Sequence, residues 1–179
     1  MPIKDQDITF TISEKDLRFL GTVGVQIIQE RTEAGFDKDG NPFDPYSTDW
    51  FAMPAGGMLK KDRKIMDDLN RSGDLSYFRT NAGRLWMLVR GYDLFKKYFN
   101  PTEYVGFVNL RGKGDMLDSM VVIKVDKKKG TFQIGWEDPG LAERAYFNEL
   151  RGREFLGFTK EEQQRLESIA ATKIEVVVK

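Results

Sequence analysis

The 179-residue sequence contains neither cysteine nor histidine. The lack of cysteine excludes disulfide bonds, thiolate nucleophiles, zinc ribbons and iron–sulfur clusters. Without histidine, the chain also lacks the commonest general base near neutral pH and the commonest metal ligand in proteins. Any catalysis would therefore have to use carboxylates, lysines or tyrosines.

The sequence also has a net charge of zero and no long apolar run. The 28 Lys and Arg residues balance the 28 Asp and Glu residues. The whole molecule therefore has no long-range field that would draw it to nucleic acid or to an anionic membrane. No apolar run approaches about 18 residues, and "MPIKDQDITF" lacks the apolar core of a signal peptide. We expect no membrane contact, and a protein of the cytoplasm or of something assembled there.

What is present is typical of a folded domain, with 40% apolar and 12% aromatic residues. The length predicts one domain over residues 1–179, because roughly 150 residues per domain is usual. "DITFTI" alternates and predicts a strand. Ser13 is then predicted to cap a helix that ends near Gly35. Its periodic positions are Leu17, Leu20, Gly24, Ile27, Ile28 and Arg31. Gly21 and Gly24 inside it indicate close packing, since each costs about 1 kcal/mol relative to alanine.

Residues 36–58 are predicted to form a long aromatic-rich loop or arm, followed by an extended segment over about 53–84. "DKDGN" has the wrong spacing for a calcium-binding EF-hand loop, so a tight turn at Asp39 and Gly40 is favoured. Aromatic side chains concentrate binding energy at interfaces. The predicted interface anchors are Phe43, Tyr46, Trp50 and Phe51. The alternative is that these rings pack on their own core.

The middle of the chain predicts two hairpins and two short helices. "LKKDRKIMDDLN" and "GYDLFKKYFN" have helical patterns, the second ended by Pro101. "LSYFRTNAGRLWMLV" predicts a hairpin, although "RLWMLV" could also begin a helix. In the second hairpin, Val121, Ile123 and Val125 are expected to share a face, and "KKKG" forms the tip. Lys127, Lys128 and Lys129 could touch DNA phosphates there, or simply be solvated.

The C-terminal part begins with a helix capped by Asp138 and Pro139. Leu141, Ala142, Ala145 and Leu150 are its predicted apolar positions. "REFLGF" is too apolar to lie in water, so we expect Phe155, Leu156 and Phe158 to fill the core as a clasp beside a turn at Gly157. Thr159 and Glu162 form a predicted capping box.

The chain ends in a predicted strand, "KIEVVVK". The unpaired backbone groups of a sheet edge invite a neighbouring strand, so Ile174, Val176 and Val178 are candidate interface residues. Pairing inside the chain's own sheet is the alternative.

Catalytic patterns are weak. Asp115 with Asp118, Glu137 with Asp138, and Asp37 with Asp39 are candidate carboxylate pairs. A carboxylate–metal nuclease would need several converging acids and a nearby lysine. Turns and helix caps explain these acids equally well, and no nucleophile–base set can be assembled. We therefore expect no enzyme, no cofactor and no metal, with a carboxylate–metal nuclease as an alternative.

Three segments together resemble a known family. "GFDKDGNPFDPYS" is similar to its proline–tyrosine–serine loop. "VRGYDLFKKYF" with "VNLRGKGDMLDSMVV" resembles its glycine–tyrosine helix and the motif that follows. "IGWEDPGLAERAYFNELRGREFLGFTKEE" resembles its C-terminal motif. The family comprises the tail-completion or neck proteins of long-tailed bacteriophages, also called phage virion morphogenesis proteins, and the resemblance runs from about Phe36 to Ile169.

The resemblance implies an α+β fold, a small, mostly antiparallel sheet flanked by helices, which agrees with the predicted elements. It implies a structural virion protein that forms a homo-oligomeric ring, hexamer or dodecamer, at the head–tail junction. Its partners would be copies of itself, the head connector or adaptor, and the tail terminator or tail-tube proteins. The ring would enclose the DNA passage. From their position at a hairpin tip, Lys127, Lys128 and Lys129 are hypothesised to line its lumen. The alternatives are a tail terminator, a head–tail adaptor or a host-directed binding module.

Overall fold

The computed structural model describes the backbone of residues 8–55, 62–111 and 115–178, and the side chains of these residues apart from 8–10 and 175–178. The α+β prediction is confirmed. The helices are α1 (Glu14–Glu33), α2 (Arg63–Ser72), α3 (Tyr92–Phe99), α4 (Asp115–Asp118), α5 (Pro139–Leu150) and α6 (Lys160–Ala171), with a short 3-10 turn at Pro101–Glu103. The strands are β1 (Ile8–Thr11), β2 (Trp50–Pro54), β3 (Leu75–Arg79), β4 (Leu85–Arg90), β5 (Val121–Asp126), β6 (Thr131–Gly135) and β7 (Glu175–Val178).

The chain divides into two compact units. Unit 1 consists of Met1–Phe43 and Asn109–Lys179, and unit 2 is the continuous segment Asp44–Val108. Unit 2 overlaps both predicted stretches, 36–58 and 53–84, and residues 56–61 within them lie outside the described part of the structure. The single domain over residues 1–179 stays a prediction, because compact units of this size also occur within one domain.

In unit 1, helix α1 packs on the antiparallel β5–β6 hairpin, and two glycines allow the close approach. A Cβ atom at Gly21 would lie 2.5 Å from a γ-carbon of Val122, and one at Gly24 would lie 3.0 Å from the ring of Phe158. Gly21 and Gly24 therefore serve close packing, as predicted, but against side chains of the hairpin and the clasp.

Contrary to the prediction, Val121, Ile123 and Val125 do not all share one face of strand β5, because the strand contains a β-bulge. Val122 pairs with Ile134 and Val125 with Phe132, with a register shift between Val122 and Lys124. Paired residues share a face, so Val122 and Val125 face α1 while Ile123 is exposed. The extra residue reverses the alternation that the sequence suggests.

The clasp after α5 is held by one buried cation. Arg31 of α1 donates hydrogen bonds to the carbonyl of Phe155 at 2.6 Å, to the carbonyl of Gly157 at 3.1 Å, and to the Glu162 carboxylate. The same carboxylate accepts from the Thr159 backbone N–H at 2.8 Å, which completes the predicted capping box. Phe155 is fully buried and Gly157 has a φ of +147°. The predicted clasp is therefore intramolecular.

Unit 2 is a three-stranded antiparallel sheet in the order β2–β4–β3. Its core lies between the sheet and helices α2 and α3. The buried residues are Ala55, Met66, Leu69, Leu75, Met87 and Val89. The predicted loop over 36–58 is wrong at β2, which pairs with β4. Pro54 ends this strand, where a missing N–H is tolerated. The first hairpin prediction is confirmed by β3 and β4.

The last strand pairs within the chain. Strand β7 runs antiparallel to β1, with Ile8 opposite Val178 and Thr11 opposite Glu175. Among the described helices, none combines the length and the apolar character needed to span a membrane.

Candidate interaction surfaces

The first surface is the side of the unit 2 sheet that faces away from its core. In the sheet register, Trp50 pairs with Arg90, Ala52 with Leu88, Pro54 with Trp86, Ser76 with Leu88, and Phe78 with Trp86. These residues alternate with those that contact the core, so they form one face. We call it the outer sheet face, consisting of Trp50, Ala52, Pro54, Ser76, Phe78, Trp86, Leu88 and Arg90.

The outer sheet face is unusually apolar for a face of an antiparallel sheet. Such sheets usually place polar residues on the side away from the core. Here the side chain of Trp50 is 48% exposed, and Phe78 is also exposed. The rings of Phe78 and Trp86 lie 6.3 Å apart. A contiguous apolar surface of this kind typically marks a site of protein–protein contact.

The second surface lies on helix α5 of unit 1. Leu150 and Tyr146 are 63% and 58% exposed, the most exposed large apolar side chains among the described residues, and Phe147 is 49% exposed. The rings of Tyr146 and Phe147 lie 6.2 Å apart. Leu150 was predicted as an apolar position of this helix, and helical spacing alone does not tell a core face from an exposed apolar face. We call these three residues the α5 ridge.

The third surface is a groove, also in unit 1, with a volume of about 380 Å³. Its lining comes from β1, α1, α6 and the β5–β6 hairpin. The lining residues are Thr11, Ile12, Leu17, Leu20, Gly130, Phe132, Leu166, Glu167, Ala170 and Ile174. Most of these are apolar, so the groove suits apolar side chains of a partner. We call it the unit 1 groove.

The predicted loop anchors separate into two groups. Phe43 and Tyr46 are buried. Phe51 packs against the unit 2 core, with its ring centroid 5.8 Å from those of Tyr92 and Phe95. The structure thus supports the intramolecular alternative for these three rings. Trp50 remains a candidate interface anchor.

The other predicted site residues are partly described. Ile174 is 44% exposed and lines the unit 1 groove. Val176 and Val178 belong to β7, and their side chains lie outside the described part of the structure. Lys127, Lys128 and Lys129 are exposed at the hairpin tip, where Asp126 accepts the backbone N–H groups of Lys128 and Lys129. Contact of these lysines with DNA stays a prediction.

One buried cation of unit 2 was missed by sequence analysis. Lys96 is 1% exposed. Its Nζ donates to the Tyr46 hydroxyl at 3.1 Å and lies 5.4 Å from the centre of that ring. Burial lowers the pKa of Lys96 from its usual value, although the charges of Glu103 and Asp93 oppose the shift. The sequence "FKKY" contains two adjacent lysines, and nothing in it indicates that Lys96 is the buried one.

Most of the candidate carboxylates have local partners. Asp118 pairs with Arg111, and Asp115 lies 3.9 Å from Arg144. Asp138 caps α5. Asp37 and Asp39 lie in the turn at Gly40. There the Asp37 carboxylate accepts hydrogen bonds from the backbone N–H groups of Asp39 and Asn41. Within residues 8–55, 62–111 and 115–178, no three acidic side chains converge as a metal site would require.

No family model, curated protein or solved structure matches this chain.

Proposed function

We propose that this chain is a structural subunit of the head–tail junction of a tailed bacteriophage. Copies of it form a ring that completes the neck or tail, joins the head connector to the tail and encloses the DNA passage. The resemblance over Phe36 to Ile169 supplies this function. The observation that carries it in the structure is the outer sheet face, an apolar surface of the kind that typically marks protein–protein contact.

Two of the segments that carry the resemblance support the proposal through residues that meet in unit 1. The "REFLGF" segment is the clasp, held by Arg31. The segment beginning at Phe36 forms a turn that meets the clasp, because the Lys38 backbone N–H donates to the Glu154 carbonyl at 2.7 Å. These motif residues shape a scaffold, as expected for a family defined by assembly.

Localisation in particles is the direct test. Tailed particles that carry this protein are labelled with an antibody against it and imaged, with a particle lacking the gene as the control. We expect label at the collar between head and tail. Label elsewhere, or none on particles, would overturn the proposal. The position of the density relative to the tail tube separates a neck subunit from a tail terminator or adaptor.

Variants of the outer sheet face test its role. Trp50→Ala should leave the thermal unfolding curve nearly unchanged, since its side chain is half exposed, and should reduce head–tail joining. The matched control is its chain neighbour. Phe51→Ala should destabilise the protein by about 3 kcal/mol, the lower end for a buried phenylalanine, because Phe51 contacts the core. If head–tail joining is normal with Trp50→Ala, the outer sheet face does not take part in the assembly contact.

The nuclease alternative has its own assay. Purified protein is incubated with DNA and Mg²⁺ or Mn²⁺. We expect no cleavage. Metal-dependent cleavage that is lost in Asp115→Asn with Asp118→Asn would replace the structural proposal with a nuclease.

A further inference from the structure

We infer that the α5 ridge of one copy docks into the unit 1 groove of the next copy. This inference rests on the proposed function and names the surfaces that join neighbouring subunits of the ring. The chain thereby carries both halves of one contact, a projecting ridge and a concave site.

Shape supports this pairing. The ridge presents two aromatic rings and a leucine, Tyr146, Phe147 and Leu150, which are 58%, 49% and 63% exposed. An apolar cavity of about 150 Å³ accommodates one benzene ring. The groove, at about 380 Å³, therefore has room for about two rings. No residue that is described as lining the groove belongs to α5, so the ridge does not fill the groove of its own chain.

Charge supports the same pairing. Arg151 directly follows the ridge, while Glu167 lines the groove on α6. Glu143 lies one turn before Phe147, while Lys129 precedes Gly130, which lines the groove at the hairpin tip. Opposite charges thus flank the two apolar surfaces. Complementary charges of this kind fix the register of a contact more than they add affinity.

The geometry of the contact determines the assembly. Because the ridge and the groove are different surfaces, the contact is head-to-tail, and repeated rotation by one operator can close it into a ring. Ile174, proposed from the sequence as an interface residue, lies in the groove wall.

The contact is small. Complete burial of an aromatic side chain removes about 150–250 Å² from water, and the ridge side chains are only about half exposed, so the ridge provides well under the roughly 800 Å² per partner of a standard interface. We therefore expect weak association of the purified chain and stable rings only where neighbouring proteins add further contacts.

The absence of cysteine allows a clean crosslinking test. Arg151→Cys places a thiol beside the ridge and Glu167→Cys places one at the groove, and both sites are exposed. A short bismaleimide is added to the purified full chain at high concentration. We expect each single variant to remain uncrosslinked, their mixture to give dimers, and the double variant to give a ladder beyond the dimer. The ladder, in contrast to dimers alone, identifies a head-to-tail contact.

Two controls define the result. Glu167→Cys combined with Val105→Cys, an exposed position in unit 2, should give no ladder. Adding Phe147→Glu to the double cysteine variant should abolish the ladder while circular dichroism shows the same fold. A double variant without a ladder, or a ladder that survives Phe147→Glu, would overturn the docking.

The outcome separates this inference from the proposed function. A ladder from a protein that is absent from the collar of particles keeps the docking and removes the function. Collar label together with no ladder keeps the function and removes the docking.

Discussion

Replacing Arg31 by methionine should destabilise unit 1 strongly. Methionine retains an unbranched side chain but removes every hydrogen bond that the guanidinium makes. The carbonyls of Phe155 and Gly157 lose their charged donor. The Glu162 carboxylate, whose side chain is 17% exposed, loses its countercharge. Breaking a buried ion pair by removing one partner costs about 3–5 kcal/mol.

The same change gives an expected thermal shift. For chains of this length, 1 kcal/mol corresponds to about 2–4 °C, so the midpoint should fall by about 6–20 °C. Trp136 is a suitable reporter, because its ring lies 6.3 Å from Phe155 of the clasp. In a Trp50→Phe, Trp86→Phe background it is the only tryptophan of three. Urea unfolding followed by its fluorescence then measures the free energy of unfolding of unit 1.

A matched control and a double-mutant cycle test the reasoning. Arg18→Met removes an exposed pair with Glu14 on the same helix and should cost less than about 1 kcal/mol. The variant carrying both Arg31→Met and Glu162→Gln should be more stable than Arg31→Met alone, because no unpaired carboxylate remains. If Arg31→Met costs no more than Arg18→Met, the buried guanidinium does not hold the clasp.

Two further predictions concern packing and pH. Gly21→Ala should lower the free energy of unfolding by about 1–2 kcal/mol, because overpacking against Val122 at 2.5 Å exceeds the gain in helix propensity; adding Val122→Ala should restore stability, and a Gly21→Ala protein as stable as the wild type would contradict the close contact. Since the pKa of Lys96 is lowered in the folded state, this group binds more protons in the unfolded chain between that pKa and the usual 10.5, so its contribution to stability should rise with pH there, whereas the raised pKa values of Lys38, Tyr77 and Tyr104 contribute the opposite slope. Lys96→Met should remove that rise in chemical denaturation at successive pH values, and identical pH slopes for variant and wild type would contradict the burial of the charge.

Elements fixed by local hydrogen bonds could be predicted from the sequence. The Thr159 capping box and the Asp138 cap each form between residues at most three positions apart. The hairpin tip at Lys127–Gly130 follows equally from nearby residues. Such interactions depend little on the rest of the fold, so sequence patterns indicate them well.

Features set by distant contacts could not be predicted in the same way. The β2 strand depends on pairing with β4, more than thirty residues away in sequence, and β propensity follows such context. The helical period placed Arg31 on the buried face, but only the fold shows that the clasp carbonyls and Glu162 receive it. The candidate site was predicted in part: Trp50 and Ile174 were identified, whereas the α5 ridge was missed because an apolar docking face has the same period as a core face.

The pairing of β1 with β7 constrains how the protein forms during translation. The partner of Ile8 is Val178, so this part of unit 1 cannot close until the last strand leaves the ribosome. Unit 2 is one continuous stretch, Asp44–Val108, and its residues emerge together. Segments that emerge first generally fold first. We therefore expect unit 2, with its aromatic sheet, to fold in the nascent chain before β1 pairs with β7.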